Sequence, residues 1–136
     1  MTTTQVTTTQ VMARLVCDGA DAAIDFYQRA LGAEPVTRHT DDDGHVVHAE
    51  VRIGQSRIAL KDADDVDVAP ATLGGSPVLL NVHVPDADAT AAALLTAGAR
   101  VVFEPADHGY GYYDGRFADP FGYQWIVSQD LDRHPR

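Results

Sequence analysis

Residues 20–33 read Ala20-Asp-Ala-Ala-Ile-Asp-Phe-Tyr-Gln-Arg-Ala-Leu-Gly-Ala33, and this stretch decides the fold. Ala20, Ala23, Ile24, Tyr27, Ala30 and Leu31 recur every three or four residues, which aligns them on one face of a helix, and Gly32 stops it. The same grammar returns downstream. Asp86 to Ala97 is an Ala-rich helix stopped by Gly98, so Leu31-Gly32-Ala33 and Ala97-Gly98-Ala99 hold equivalent places in two units. Outward from the first helix, Val11 to Val16 is a short apolar strand ended by Asp18-Gly19, and Pro35 to Thr40 is a strand broken at Asp41-Asp-Asp-Gly44. His45 to Ile53 alternates, with Val47, Ala49, Val51 and Ile53 on one face and His48, Glu50 and Arg52 on the other. Gly54-Gln55 turns the chain into a strand from Arg57 to Lys61. The second unit repeats the order: Pro77 to Val84, the helix, Arg100 to Glu104, Gly115 to Ala118 and Tyr123 to Ser128. Modules 11–62 and 77–128 are equal in length and each reads strand, helix, strand, strand, strand. The expected fold is α+β: one domain over 1–136, in which two tandem βαβββ modules form curved mixed sheets around a central cavity with helices outside.

Composition sets the outer bounds. A chain of 136 residues is one domain long and buries enough surface to fold without staples. The single cysteine, Cys17, excludes an internal disulfide and any multi-cysteine zinc site, and it is expected as a buried, inert thiol in a cytoplasmic protein. A formal charge of −10 repels phosphate backbones, so nucleic acid is not an expected partner, whereas cationic or neutral molecules approach freely. No apolar run is long enough to span a membrane. The Thr-rich arm at 1–10 carries no charge and one aliphatic residue, Val6, and is expected to be an arm or an edge strand needing a partner.

Four segments carry a resemblance. They are Ala22-Ala-Ile-Asp-Phe-Tyr-Gln-Arg-Ala-Leu-Gly32, His48-Ala-Glu50, Val84-Pro-Asp-Ala-Asp88 and Asp119-Pro-Phe-Gly-Tyr-Gln-Trp125. Together they resemble the vicinal oxygen chelate superfamily, which includes glyoxalase I, extradiol dioxygenases and bleomycin-resistance proteins, and within it the PhnB-like or glyoxalase-like group. The resemblance implies a divalent metal held by His, Glu or Gln on the first, fourth, fifth and eighth strands. Those positions fall near Val11 or Ala13, Ala59, Leu80 and Ile126, none of which ligates a metal. Leu15, Arg57, Val82, Gln124 and Ser128 share the expected inward parity, while His83 and Trp125 are expected to face the helices. No cofactor is expected.

The remaining metal-type pair is His48 and Glu50, which share a strand face opposite Arg57 and Lys61 and satisfy those charges equally well. The Asp-rich stretches at 41–44 and 62–67 lack the spacing of a calcium loop and read as solvated turns. Residues 108–115 read His-Gly-Tyr-Gly-Tyr-Tyr-Asp-Gly, and Tyr110, Tyr112 and Tyr113 suit stacking on a flat ligand at a cavity mouth. The expected ligand site therefore contains Tyr110, Tyr112, Tyr113, His48, Glu50, Arg57, Gln124 and Ile126. Two functions follow. One is metal-independent sequestration of a hydrophobic or planar aromatic molecule, such as an aromatic peptide antibiotic, as in bleomycin-resistance proteins. The other is a glyoxalase-like lyase or dioxygenase with an atypical metal site at His48, Glu50 and Gln124. A homodimer with an exchanged N-terminal strand is expected for either.

Overall fold

The computed structural model describes residues 8–131. The elements run β1 (Arg14–Cys17), α1 (Ala20–Leu31), β2 (Glu34–Thr40), β3 (Val46–Ile53), β4 (Ser56–Asp62), α2 (Pro70–Leu73), β5 (Leu79–His83), α3 (Ala87–Ala97), β6 (Arg100–Asp107), β7 (Tyr112–Ala118) and β8 (Gln124–Asp130). They form two four-stranded mixed sheets, ordered β1-β4-β3-β2 and β5-β8-β7-β6. In each, the first strand of a module lies parallel to the last, and the other pairs are antiparallel.

The expectation of sheets curving round a central cavity is corrected here. The sheets are separate and open, each ends on two unpaired edge strands, and among the described residues no ladder joins them. The helices are not confined to the outside either, because α1 and α3 pack against each other as well as against their own sheets. Alanines at 20, 23, 30, 87 and 91 are buried and let the elements approach closely, and the centre is filled by Phe26, Tyr27, Leu60, Leu94, Phe117 and Trp125. This core lies between helices and sheets, so the sheet faces turned away from the helices are left open rather than closed round a cavity. Burying rings such as Phe26 and Tyr27 contributes roughly 2–3 kcal/mol each. The arm lies outside the described residues up to Thr7; Gln10 to Met12 pass beside Gln55 to Arg57.

Local chemistry fixes the elements. No side chain caps the start of α1; instead Asp62 accepts from the Ala20 and Val46 N–H groups (2.6 and 2.8 Å), tying helix, β3 and β4 together. Asp86 caps α3 by accepting from Ala89 N–H. The linker between the modules contains the one-turn α2, begun by Pro70, which is preformed for a first helical position. Asp119, buried in the β7–β8 turn, accepts from Tyr27 Oη, Trp125 Nε1 and the backbone N–H groups of Phe121 and Tyr123. Tyr27 belongs to the first module and Trp125 to the second, so one carboxylate joins both.

Candidate functional site

Each sheet turns one face to its helix and leaves the other open. Register decides which residues stand on the open faces. On the first sheet, Glu50 pairs with Ala59 and Arg52 with Arg57, while Ala49, Val51 and Leu60 are buried beneath α1. His48 Nε2–H donates to Glu50 at 2.8 Å, and Arg57 donates to the same carboxylate at 3.5 Å. The His48 bond, reinforced by Arg57, holds the Glu50 carboxyl below the usual range. This is a satisfied polar cluster on a half-buried surface.

The open face of the second sheet is richer. Asp114 pairs with Ser128, Arg116 with Ile126 and with Phe103, and on β5 Asn81 pairs with Ile126 and His83 with Ser128. Ser128 Oγ lies 3.1 Å from Asn81 Oδ1. At the loop end, His108 Nε2 lies 2.9 Å from Asp114 Oδ1, and Tyr110 Oη donates to Asp114 Oδ2 at 2.8 Å. The Asp114 side chain is only 14 % exposed, so it sits largely out of water between two partners. That hydrogen bond to a carboxylate raises the Tyr110 hydroxyl above its ordinary pKa. The His108 and Tyr110 rings stack at 5.9 Å, and Tyr112 links Tyr110 to His83 by ring contacts of 5.9 and 5.8 Å. Arg116 lies over the Phe103 ring, 5.5 Å from its centroid. Phe103, His108, Tyr110, Asp114, Arg116 and Ile126 line a depression of about 320 Å³. A second cleft of about 640 Å³ runs between the β3–β4 turn and β5, but Ile53, Ile58, Leu80 and Val82 make it aliphatic.

The expected site residues therefore divide. His48, Glu50 and Arg57 stand on the first sheet; Tyr110, Tyr112, Gln124 and Ile126 stand on the open face or loop of the second. Tyr113 turns to the helix side, where its hydroxyl donates to Asp88 on α3 at 2.8 Å. Parity on two strands is corrected. Leu15 is buried on the helix side of β1, and Leu80 and Val82 pair with Trp125 and Val127 beneath the helices, whereas His83 stands on the open face. Residues paired with a neighbouring strand share its face, so a one-residue error in parity inverts a strand. Trp125 faces the core as expected. His108, Asp114, Arg116, Phe103 and Asn81 were not among the expected site residues, and His83 was expected on the opposite face. Asn81 and His83 carried a usable signal, the same polar alternation that placed His48 and Glu50 together.

The position implied for a chelated metal does not fit one. The open-face residues there are Arg14 or Val16 on β1, Ala59 on β4, Asn81 on β5 and Ile126 on β8, and a single amide is no cation site. Among the described residues, one group of three metal-type side chains does have ligand atoms within 4.8 Å of one another: Asp41, Asp43 and His45, all exposed in the β2–β3 turn. Asp41 also accepts from the Asp43 and His45 N–H groups, so it shapes that turn. Cys17 is no nucleophile, because burial, aided by the charges of Asp119, Asp62 and Asp18, pushes its thiol up to about 12.

Residues 8–127 match the family model described as Glyoxalase/Bleomycin resistance protein/Dioxygenase superfamily. The chain belongs to this superfamily. An uncharacterized protein of Mycobacterium bovis is 38% identical over 122 residues, covering 86% of this chain and 80% of the relative. The crystal structure of a gene product of Arabidopsis thaliana superposes with a TM-score of 0.73 at 26% identity, covering 89% of this chain and 98% of that one. A glyoxalase/bleomycin resistance protein/dioxygenase family enzyme from Burkholderia phytofirmans shares the fold at a TM-score of 0.72 and 19% identity, over 88% of this chain and 97% of the other. The superfamily fold is thus a small-molecule-binding one, and among the described residues no helix of this member is long and apolar enough to cross a membrane.

Proposed function

We propose that this superfamily member is an enzyme that binds a small organic molecule on the open face of its second sheet. The observation that carries this is the His108–Asp114–Tyr110 cluster at the edge of the Phe103 and Ile126 surface. Asp114 fixes the imidazole, the imidazole serves as proton acceptor and donor, and apolar side chains hold the reacting molecule beside it. The enzymatic expectation, a glyoxalase-like lyase or dioxygenase with an atypical site, has more support than metal-free sequestration. A structurally similar protein is described as an enzyme, and Asp41, Asp43 and His45 offer a metal-binding triad outside the usual position. His48 and Glu50 with Gln124, the triad expected from sequence, lie on different sheets of one chain.

Sequestration keeps one observation in its favour, the apolar Ala59 and Ile126 at chelating positions beside an aromatic loop. Protein purified without chelator, subjected to elemental analysis and then assayed against a panel of lyase and dioxygenase substrates, separates the two readings. The enzymatic reading expects turnover that falls about 100-fold or more in Asp114→Asn, the usual scale of lost acid–base catalysis. Saturable binding of aromatic compounds without turnover of any substrate would transfer the chain to sequestration. Both open faces also suit a homodimer in which a second copy covers them; light scattering at increasing concentration tests this, and a monomer throughout would remove it.

A further inference from the structure

The charged groups on the second sheet do not balance, and the imbalance points to the ligand. The Asp114 carboxylate is turned to His108 through Oδ1 and to Tyr110 through Oδ2, and it makes no ion pair with the neighbouring guanidinium. Arg116, two residues along the same strand face, has no carboxylate within ion-pair distance among the described residues, and its buried Nε makes no hydrogen bond. The other arginines without an ion pair there, Arg14 and Arg100, are exposed, where water satisfies them. Arg116 is half-buried, fixed over Phe103 and lines the 320 Å³ depression. A guanidinium that is partly desolvated and pre-oriented, yet unmatched by any protein anion, is arranged to receive one from outside.

We infer that Arg116 is the anchor for a carboxylate, so that the depression takes a small monoanionic acid whose apolar body lies on Phe103 and Ile126. The planar fork of the guanidinium matches a carboxylate, and the nearby Asp114 charge together with a net charge of −10 disfavours a dianion such as a phosphate monoester. The inference rests on the ligand occupying the open face of the second sheet, as proposed above, and names the class of molecule found there.

Titration with 2-naphthoate and its uncharged counterpart 2-naphthamide, followed by backbone amide NMR shifts, tests it. The acid is expected to bind the full chain about tenfold more tightly than the amide, a modest estimate for one charge-assisted contact, with the largest shifts at Phe103, Arg116 and Ile126. Arg116→Met should abolish the preference, so that acid and amide bind alike; Arg116→Lys, which keeps charge but loses the fork, should retain part of the preference. Equal affinity of acid and amide for the unmodified protein overturns the carboxylate anchor but leaves the site standing. An acid preference that survives Arg116→Met in a variant with native shifts elsewhere also overturns it. If neither compound perturbs this face, the site and the anchor fall together.

Discussion

Asp119 accepts four hydrogen bonds inside the protein, two on each oxygen: Oδ1 from the Phe121 and Tyr123 N–H groups, Oδ2 from Tyr27 Oη and Trp125 Nε1. Removing it strands a buried hydroxyl and a buried indole N–H, each costing about 1–3 kcal/mol when unsatisfied. Asp119→Ala should therefore lose about 3–5 kcal/mol in urea unfolding, of the order seen when one partner of a buried network is deleted. A loss under 1 kcal/mol would mean water replaces the carboxylate. Asp64 offers a pH handle. The Asp67 N–H, then Lys61 and the Val66 N–H, hold its carboxyl down at about 2, against an ordinary 3.8. A carboxyl that is more acidic in the folded state stabilises fully above its unfolded value, and that contribution fades as pH falls from about 3.8 towards about 2. Asp64→Asn should accordingly show a shallower decline of melting temperature across that interval than the parent chain. The Asp119-Pro-Phe-Gly turn was legible as a turn, because its residue types dictate local geometry. The Tyr27 partner, 92 residues away, was not, because no local pattern encodes a contact at that separation.

At the scale of elements, helices were more legible than strand faces. The α1 periodicity is unambiguous, since polar and apolar residues separate cleanly around it, whereas β1 is apolar on both faces for much of its length and the Asn81 and His83 alternation on β5 marks a polar face without saying which side it takes. The site was only half legible: Ile126 and Gln124 followed from the strand positions that the family resemblance implies, while His83 and Asn81 take their direction from pairing with β8. The β6–β7 pair carries a further constraint. Its register breaks around Phe103, and a methyl group on Gly115 would sit 2.8 Å from Pro105 N and 2.9 Å from Phe103 O. Neither is a flexible side chain, so the irregular β6 must move. Gly115→Ala is expected to displace Phe103 and weaken aromatic ligands about tenfold or more, matching an overpacking cost of about 1–3 kcal/mol. Unaltered affinity in a folded variant would show that Phe103 does not depend on this close approach.

For the whole molecule, the repeat announced two modules but not how they dock, because each module's pattern specifies its own helix-on-sheet packing and is silent on the other half. The docking is polar as well as apolar. Tyr123 Oη accepts from Val16 N–H at 2.9 Å and donates to Val16 C=O at 2.8 Å, fastening the β7–β8 turn to the unpaired edge of β1. With α1 against α3 and the Asp119 bonds beside it, the halves should unfold together. Tyr123→Phe is expected to keep one cooperative transition and lower its midpoint by an amount corresponding to about 1–3 kcal/mol, since two backbone groups lose a partner. Two resolved transitions in calorimetry would mean that the halves are separable.

The parallel pairing of β1 with β4 has a consequence for synthesis. The first sheet is complete once Asp62 has been translated, so it can assemble on the ribosome while its counterpart is still unmade. Its buried aromatic Tyr27, however, waits for Asp119 and Trp125, which belong to the second module. The nascent first half thus carries an uncovered helix face until the second module has been made.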